Sequence, residues 1–182
     1  MNSRRVLFVL LFLCAVLSAS AGARAQPARE TAVKAAFLYK FGAFVEWPAG
    51  TFASPDQPLV IGVSGDDEVA QDLEQLTAGR AIEGRPVQVK RLAESGPFAG
   101  VHILFIGMRR ESRLKEAIEA AAGGVLVVTD QPQGLRPGSV INFMAEAGRI
   151  QFAVSLVSAD ARNLKLSARL LTVASAVEGR AR

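Results

Sequence analysis

The sequence predicts an α/β domain of three layers, in which a mixed, mainly parallel sheet carries helices on both faces and ends in an antiparallel hairpin. Short continuous apolar runs, of the kind that a parallel sheet buries on both faces, alternate with segments of helical periodicity. This alternation indicates β-α-β units with right-handed crossovers. Near the C-terminus two strand-like runs flank a tight turn instead, which predicts the antiparallel pair.

The first half of the chain divides into a helix, a strand, a second helix and a second strand. Apolar residues at spacings of three and four predict the first helix, which Pro48 would end. Asp66 or Asp67 is placed to cap the second helix. The second strand alternates apolar and polar residues and is therefore expected nearer the edge of the sheet. In order, the predicted ranges are residues 27–47, 59–63, 68–77 and 86–92.

The second half begins with a buried strand, a helix that ends at Gly123 and another buried strand. The hairpin follows, with its turn at residues 145–148. The last element is a helical region in which Asn163 marks a break, because asparagine tolerates the left-handed conformation found at helix ends. In order, the predicted ranges are residues 101–106, 110–122, 125–129, 140–144, 149–156 and 158–177.

Residues 1–25 have the pattern of a cleavable secretory signal. Arg4 and Arg5 precede an apolar stretch at residues 6–17, and Ala23-Arg24-Ala25 is a small-residue cleavage site. The apolar stretch is well short of the ~20 residues that a membrane span needs. We therefore expect cleavage near Ala25, export to the periplasm, and one domain over residues 26–182.

Cysteine content and charge exclude several classes of function. The only cysteine, Cys14, lies within the predicted signal, so the exported domain would have neither a disulfide nor a thiolate ligand for a metal. The chain has 21 basic and 17 acidic residues, but Arg4, Arg5 and Arg24 would leave with the signal. The remaining charge is close to neutral, which does not indicate a basic surface for binding nucleic acid. We expect no metal and no cofactor.

The sequence contains no recognisable catalytic motif. His102 is the only histidine and lies in an apolar strand, which favours a structural, hydrogen-bonded role over acid–base catalysis. Motifs of serine and zinc hydrolases are absent. The turn at residues 62–65 lacks the spacing of a dinucleotide-binding loop, and Asp66 and Asp67 beside it would repel an anion. We therefore expect a protein that acts by binding and is not an enzyme.

Three arginines, Arg109, Arg110 and Arg113, open the helix after the buried strand at residues 101–106. Positive charge is unfavourable at the start of a helix, yet ligands bind beyond the carboxyl ends of parallel strands. The arginines therefore indicate either an anion site or a solvated face with helical ion pairs. A small-molecule-binding protein would have a well-formed pocket at these strand ends. That pocket would lie around Ser64, Gly107, Arg109 and Thr129.

The C-terminal helical region carries more apolar surface than one sheet can cover. Two apolar stripes lie side by side, and the polar stripe is narrow, with Lys165, Arg169 and Thr172. The surplus would pack against the aromatic first helix or form a dimer interface, and the sequence leaves both open. The stripes are Leu164, Ala168, Leu171 and Ala174, and Leu166, Leu170, Val173 and Val177.

Three stretches, in their order and spacing, resemble the YfiR family of small periplasmic proteins. The first is the aromatic segment from residue 37 that ends in Glu46-Trp47-Pro48. The second is His-Ile-Leu-Phe-Ile at residues 102–106. The third combines Ile-Asn-Phe at 141–143, Arg-Ile-Gln-Phe at 149–152 and Leu-Lys-Leu-Ser-Ala-Arg-Leu-Leu at 164–171. Together they extend over nearly all of the expected exported domain.

The resemblance implies a regulator that holds the periplasmic sensor domain of an inner-membrane diguanylate cyclase inactive, which lowers cyclic di-GMP and biofilm formation. It also implies sequestration by an outer-membrane lipoprotein with a peptidoglycan-binding domain. Members of the family are often paired with other sensor proteins. Many carry a cysteine just before the His-Ile-Leu-Phe stretch, where this chain has Val101, so redox control of folding is not carried over.

The leading hypothesis is a non-enzymatic periplasmic regulator, expected to be a homodimer, that binds a membrane sensor protein. The alternative is a periplasmic small-molecule-binding protein with its site at the strand carboxyl ends. For Trp47 and Asn142 the structural alternatives are helix termination and a turn-facing strand position. The candidate partner or ligand residues are Glu46, Trp47, Asn142, Arg149 and Arg169 from the matching motifs, and Arg109, Arg110 and Lys165 from the charge pattern.

Overall fold

The computed structural model describes residues 29–107, 111–132, 134–136 and 138–179. The predicted signal segment and its cleavage site lie outside these residues. No helix in the described ranges is long and apolar enough to cross a membrane.

The described elements are five helices and ten strands. The helices are α1 (Glu30–Phe41), α2 (Asp67–Thr77), α3 (Glu111–Ala120), α4 (Leu156–Ala161) and α5 (Ala168–Val173). The strands are β1 (Val45–Glu46), β2 (Leu59–Ser64), β3 (Ala81–Ile82), β4 (Arg85–Leu92), β5 (Ile103–Ile106), β6 (Leu126–Thr129), β7 (Ile141–Glu146), β8 (Arg149–Ser155), β9 (Lys165–Leu166) and β10 (Ala176–Glu178).

Eight of the described strands form one mixed sheet in the order β10-β8-β7-β6-β5-β2-β4-β3. The central strands from β4 to β7 run parallel, whereas β8 is antiparallel to β7 and β3 is antiparallel to β4. β10 lies parallel to β8 at one edge. β1 and β9 form a separate antiparallel ribbon. The predicted α/β class with a mainly parallel sheet and an antiparallel hairpin is confirmed.

Two apolar clusters give the sheet a helical layer on each face. The larger cluster includes α1 and α2, and the smaller one includes α3. Within the larger cluster, the Phe41 ring lies 5.1 Å from Phe152 and 5.8 Å from Phe143, and Phe37 lies 5.4 Å from Phe152. Full burial of one such side chain contributes roughly 1.5–3 kcal/mol. The aromatic surface of α1 thus faces the β7–β8 hairpin.

The predicted first helix is too long at its C-terminal end. α1 stops at Phe41, and Val45 and Glu46 form β1, whose register partners are Leu166 and Lys165 of β9. The chain turns at Gly42, where a side chain would be 2.8 Å from Ile82 Cδ1. The turn brings the β-branched Val45 into the core, which a continued helix would not do.

The predicted C-terminal helix is wrong as a single element. It is divided into α4, β9, α5 and β10, and the break at Asn163 is confirmed by a φ of 58°. Ser167 then caps α5, since its side chain accepts a hydrogen bond from the Leu170 N–H. Because the segment reverses direction, Leu164 and Leu170 are both buried in the larger cluster. The two apolar stripes therefore do not lie on one helix.

Candidate functional site

The structure separates the predicted site residues between the two ends of the parallel strands. Glu46 and Trp47 lie at the amino ends, beside the ribbon that Lys165 joins. Asn142 lies at the carboxyl end of β6, beside Thr129. Arg149 is exposed at the start of β8, where its register partner is Glu146. These five residues therefore do not form a single site.

The structure describes one of the three remaining candidates. Arg169 is exposed on α5, two residues beyond Ser167. Arg109 and Arg110 lie outside the described residues, so the predicted anion site at these positions stays a prediction.

A cleft of about 500 Å³ lies at the amino ends of the strands, and we call it the amino-end cleft. Glu46 and Glu83 are exposed on its rim, and Trp47 is half-buried in its wall. It is lined by Ala43, Phe44, Val45, Glu46, Trp47, Pro48, Gly50, Thr51, Phe52, Glu83, Arg85 and Ser167. The family motif that ends in Glu-Trp-Pro thus supplies one wall of a cleft.

Two side chains that line this cleft, Phe52 and Arg85, stack in layers with His102. The Phe52 ring lies parallel to the His102 imidazole, with 4.5 Å between centroids and 19° between planes. Arg85 Cζ lies 4.0 Å from the centroid of the same ring. The two neighbours must cover opposite faces of Phe52, because both distances leave no room for them on one face. Trp47 meets Phe52 edge-on at 6.3 Å.

His102 has the structural role that the sequence favours. Its Nδ1 accepts a hydrogen bond of 2.9 Å from the buried Val60 N–H, and only 5% of the residue is exposed. Burial is the main cause of a lowered pKa, a hydrogen bond with the Thr51 backbone acts in the opposite direction, and Arg85 and Lys90 lower the pKa further. The ring is therefore neutral near pH 7 and contributes to packing.

A larger cleft of about 690 Å³ opens at the carboxyl ends of β2, β5 and β6, and we call it the carboxyl-end cleft. Three of the residues predicted around a ligand pocket lie here. Gly107 lines the cleft, whereas Ser64 and Thr129 are buried and precede lining residues in the chain. Lys34 Nζ donates to Asp130 Oδ2 at 2.7 Å across it. The described lining is Glu30, Thr31, Lys34, Gly65, Asp66, Asp67, Glu68, Gly107, Asp130, Gln131 and Pro132, and five of its six charged residues are acidic.

Asn142 supports this cleft from behind. Its Oδ1 accepts from Thr129 Oγ1 at 2.8 Å and from the Gln131 N–H at 2.9 Å. Its Nδ2 donates to the Gln131 carbonyl at 3.1 Å and to the Phe143 carbonyl at 3.0 Å. The side chain is fully buried, so it fixes the loop after β6 and does not face solvent.

Three large apolar side chains are exposed in the described part of the chain: Val157 in α4, Val173 at the end of α5 and Val177 in the edge strand β10. Val157 is 67% exposed, Val173 65% and Val177 41%. Gly179, directly after β10, lies against Val157, since an added Cβ would be 3.1 Å from Val157 Cγ2. Within the described ranges β10 pairs only with β8. We call Val157, Val173 and Val177 the C-terminal valines.

The described residues show no arrangement typical of catalysis. They contain no group of three or more histidine, cysteine, aspartate or glutamate side chains that could hold a metal ion. Every buried side-chain nitrogen or oxygen in these ranges has a hydrogen-bond partner. The described geometry therefore offers clefts and an apolar edge, which are features of binding.

Comparison with known proteins assigns the chain to a family. The family described as YfiR/HmsC-like (DUF4154) matches residues 31–175. The chain belongs to the YfiR/HmsC-like family. This is a regulatory, non-catalytic family of periplasmic proteins, and the resemblance found in the sequence motifs is confirmed. A search of curated proteins gives no match.

Sequence reasoning missed two parts of these surfaces. Phe52 and Arg85 complete the layers at the amino-end cleft, but Phe52 stands alone before a connector rich in proline and serine. A lone aromatic residue in such a segment is the one signal that could have indicated a buried anchor. Val157 was missed because it lies between the predicted hairpin strand, which ends at residue 156, and the predicted helical region, which begins at residue 158, whereas in the structure it belongs to α4.

Proposed function

We propose that this YfiR/HmsC-like chain is a non-enzymatic regulator that binds the periplasmic sensor domain of an inner-membrane signalling protein. The partner proposed is a diguanylate cyclase, which the chain would hold inactive and so lower cyclic di-GMP. Family membership supports the regulatory role. The family resemblance also implies sequestration by an outer-membrane lipoprotein. A homodimer is proposed separately, from the apolar surface of the C-terminal region.

The observation that carries the proposal is the set of C-terminal valines at and near β10. Large apolar side chains exposed near one edge of a folded protein can mark a surface that another protein covers. β10 also presents backbone N–H and C=O groups along its free side, and an extended segment of a partner can pair with such an edge. Apolar contact and strand pairing together suit a protein surface better than a small molecule.

The basic residues near this region provide a second recognition element. Lys165 and Arg169 are exposed on the segment that leads from the β1–β9 ribbon to β10. Charged residues at the rim of an interface raise the association rate and favour partners of opposite charge. We therefore expect an acidic surface on the sensor domain.

Binding of purified proteins tests the proposal. The sensor domain is taken from a membrane protein that has a cytoplasmic cyclase domain and whose gene lies next to the gene for this chain. Its affinity for the chain is measured by titration calorimetry. Val173→Lys places a charge in the apolar contact and is expected to weaken binding at least tenfold, about 1.4 kcal/mol. Ala120→Lys is the matched control, because Ala120 is also exposed and also ends a helix.

The control is expected to bind like the wild type. A folded wild-type chain that does not bind the folded sensor domain would contradict the proposed function. Equal affinities for the two lysine variants would place the contact away from the C-terminal valines.

A second function is supported by the carboxyl-end cleft. Its volume of about 690 Å³ is within the range of small-molecule sites, and it lies where ligands of parallel α/β sheets bind. Native mass spectrometry of protein purified from the periplasm would detect a retained ligand as added mass. The loss of that mass in Lys34→Met would place the ligand in this cleft, whereas an unchanged ligand mass would exclude it.

A further inference from the structure

His102 joins the rigid sheet to the loop that precedes β2. Its backbone N–H donates to the Val60 carbonyl and its carbonyl accepts from the Leu126 N–H, both at 2.9 Å. The backbone of His102 is thus held by strands on both sides. Its imidazole Nδ1 accepts a third hydrogen bond from the Val60 N–H, which requires an unprotonated nitrogen.

The other side of the imidazole is covered by residues 47–57, a segment without regular structure. Phe52 stacks on the imidazole, and Trp47 lies edge-on to it with centroids 6.0 Å apart. Arg85 holds the same segment, because its Nη1 donates to the carbonyls of Ser54 and Pro55 at 2.8 Å each. A hydrogen bond between the imidazole and the Thr51 backbone is a further link to the segment, and it acts against the lowering of the His102 pKa. The segment is therefore held to the body of the protein mainly through His102 and Arg85.

The charges around His102 oppose its protonation. Arg85 and Lys90, both on β4, act on the imidazole as cations, and burial acts in the same direction on its pKa. The residues that share a small cavity with His102 do not titrate; they are Thr51, Gln57, Phe98, Gly100, Val101, Ala122, Gly123, Gly124 and Val125.

Four other charged residues lie on the elements that pack around His102. Asp56 is exposed in the loop, and Glu46 and Glu83 are exposed on the rim of the amino-end cleft. Arg162 donates to the carbonyls at the end of α3. None of these four is among the charges that shift the His102 pKa.

We propose that His102 and residues 47–57 form an acid-sensitive latch, in which protonation of the imidazole releases the segment that carries Trp47 and Phe52. A proton on Nδ1 would point at the Val60 N–H and break that hydrogen bond. The imidazolium would also stand beside Phe52 with Arg85 on the opposite face and Lys90 nearby. Since strands hold the backbone of His102, the loop is the part that moves.

The direction of the pH effect follows from the lowered pKa. Neutral His102 stabilises the closed loop above the ordinary histidine pKa of about 6.5. That stabilisation is lost progressively as the pH falls below this value towards the pKa in the folded state. Opening removes Trp47 and Phe52 from the amino-end cleft, whereas the sheet stays intact. The latch does not depend on the proposed signalling partner.

The chain contains one tryptophan and one histidine, so both parts of the latch can be observed directly. Protein purified from the periplasm is titrated between pH 8 and pH 5, above the usual range of exposed carboxyl groups. We expect the His102 NMR signals to titrate below the ordinary histidine value. The Trp47 emission should shift to the red with the same midpoint, while far-ultraviolet circular dichroism stays constant.

Two variants separate the latch from other effects of acid. His102→Asn keeps an acceptor near the Nδ1 position but does not titrate, so its Trp47 emission should stay constant over this range. Lys90→Gln removes a nearby cation without touching the loop, and the shared midpoint should move to higher pH. If His102→Asn does not fold, the wild type and Lys90→Gln still decide the matter.

The latch would be refuted by a constant Trp47 emission while His102 titrates. It would also be refuted if the emission changed with a midpoint different from that of His102, or if His102→Asn reproduced the wild-type transition. An unmoved midpoint in Lys90→Gln would contradict the role of the neighbouring cations.

Discussion

The buried side-chain amide of Asn142 holds the loop that lines one side of the carboxyl-end cleft. Both of its polar atoms form two hydrogen bonds, and they join β7 to the loop that ends β6. That loop contributes Asp130 and Gln131 to the carboxyl-end cleft. The residue was selected as a binding candidate from its motif, and the structure gives it a position one layer behind the cleft.

Asn142→Ala should destabilise the protein strongly. The substitution removes the acceptor of the Gln131 N–H and one of the two acceptors of the Thr129 hydroxyl, which also reaches Ser139 Oγ at 3.0 Å. A buried polar group that loses its hydrogen bond costs about 1–3 kcal/mol. We expect a loss of roughly 2–4 kcal/mol in the free energy of unfolding, measured with urea. Gln71→Ala, on the exposed face of α2, should change it by less than about 0.5 kcal/mol. A loss for Asn142→Ala as small as that of the control would contradict this account.

The role of a single residue could be predicted from the sequence where its type and its local pattern were enough to decide that role. A single histidine in an apolar strand indicated a hydrogen-bonded core residue, and His102 accepts a hydrogen bond from Val60. The placement of Arg85 over Phe52 could not be predicted, because it joins two residues 33 positions apart through the fold. Spacing along the chain carries no information about such a contact.

At the scale of elements, the end of α4 shows a turn that the sequence specified. Asn163 adopts a φ of 58°, its N–H donates to the Asp160 carbonyl, and the Leu164 N–H donates to the Ala159 carbonyl. These two bonds form a Schellman motif, the usual way in which a helix ends on a left-handed residue. The turn redirects the chain into β9 and allows Leu164 to enter the core.

Substitutions at Asn163 should therefore depend on the backbone and not on polarity. Asn163→Val places a β-branched residue at positive φ and should cost about 1–3 kcal/mol in the free energy of unfolding. Asn163→Gly should be tolerated within about 0.5 kcal/mol, since glycine adopts this conformation readily. Thermal unfolding of the two variants side by side checks the expectation, and a stable Asn163→Val would show that the turn is not required.

The buried strands were predicted to within one or two residues, but both terminal helical regions were predicted too long. β2 and β6 are runs of apolar residues that only a buried strand or helix would tolerate, and their length decides for a strand. The sequence around Val45 and Lys165 is compatible with a helix as well as with a strand. Their pairing as β1 and β9 is a long-range contact that local periodicity cannot reveal.

At the scale of the whole molecule, the two ends of the sheet present different surfaces. The charged residues that line the described part of the carboxyl-end cleft are mostly acidic, and the amino-end cleft combines aromatic and charged residues. The C-terminal valines lie apart from both clefts at the β10 edge. This arrangement would allow a partner protein to bind at the edge while either cleft stays open.

Repression of the cyclase by this chain can be measured as the level of cyclic di-GMP in cells that contain the paired cyclase. Cells lacking this chain are supplied with the wild type, Val173→Lys or Ala120→Lys at equal protein levels. The account predicts that the wild type and Ala120→Lys lower cyclic di-GMP, whereas Val173→Lys does not. Equal lowering by all three proteins would contradict the assignment of the C-terminal valines as the surface that represses the cyclase.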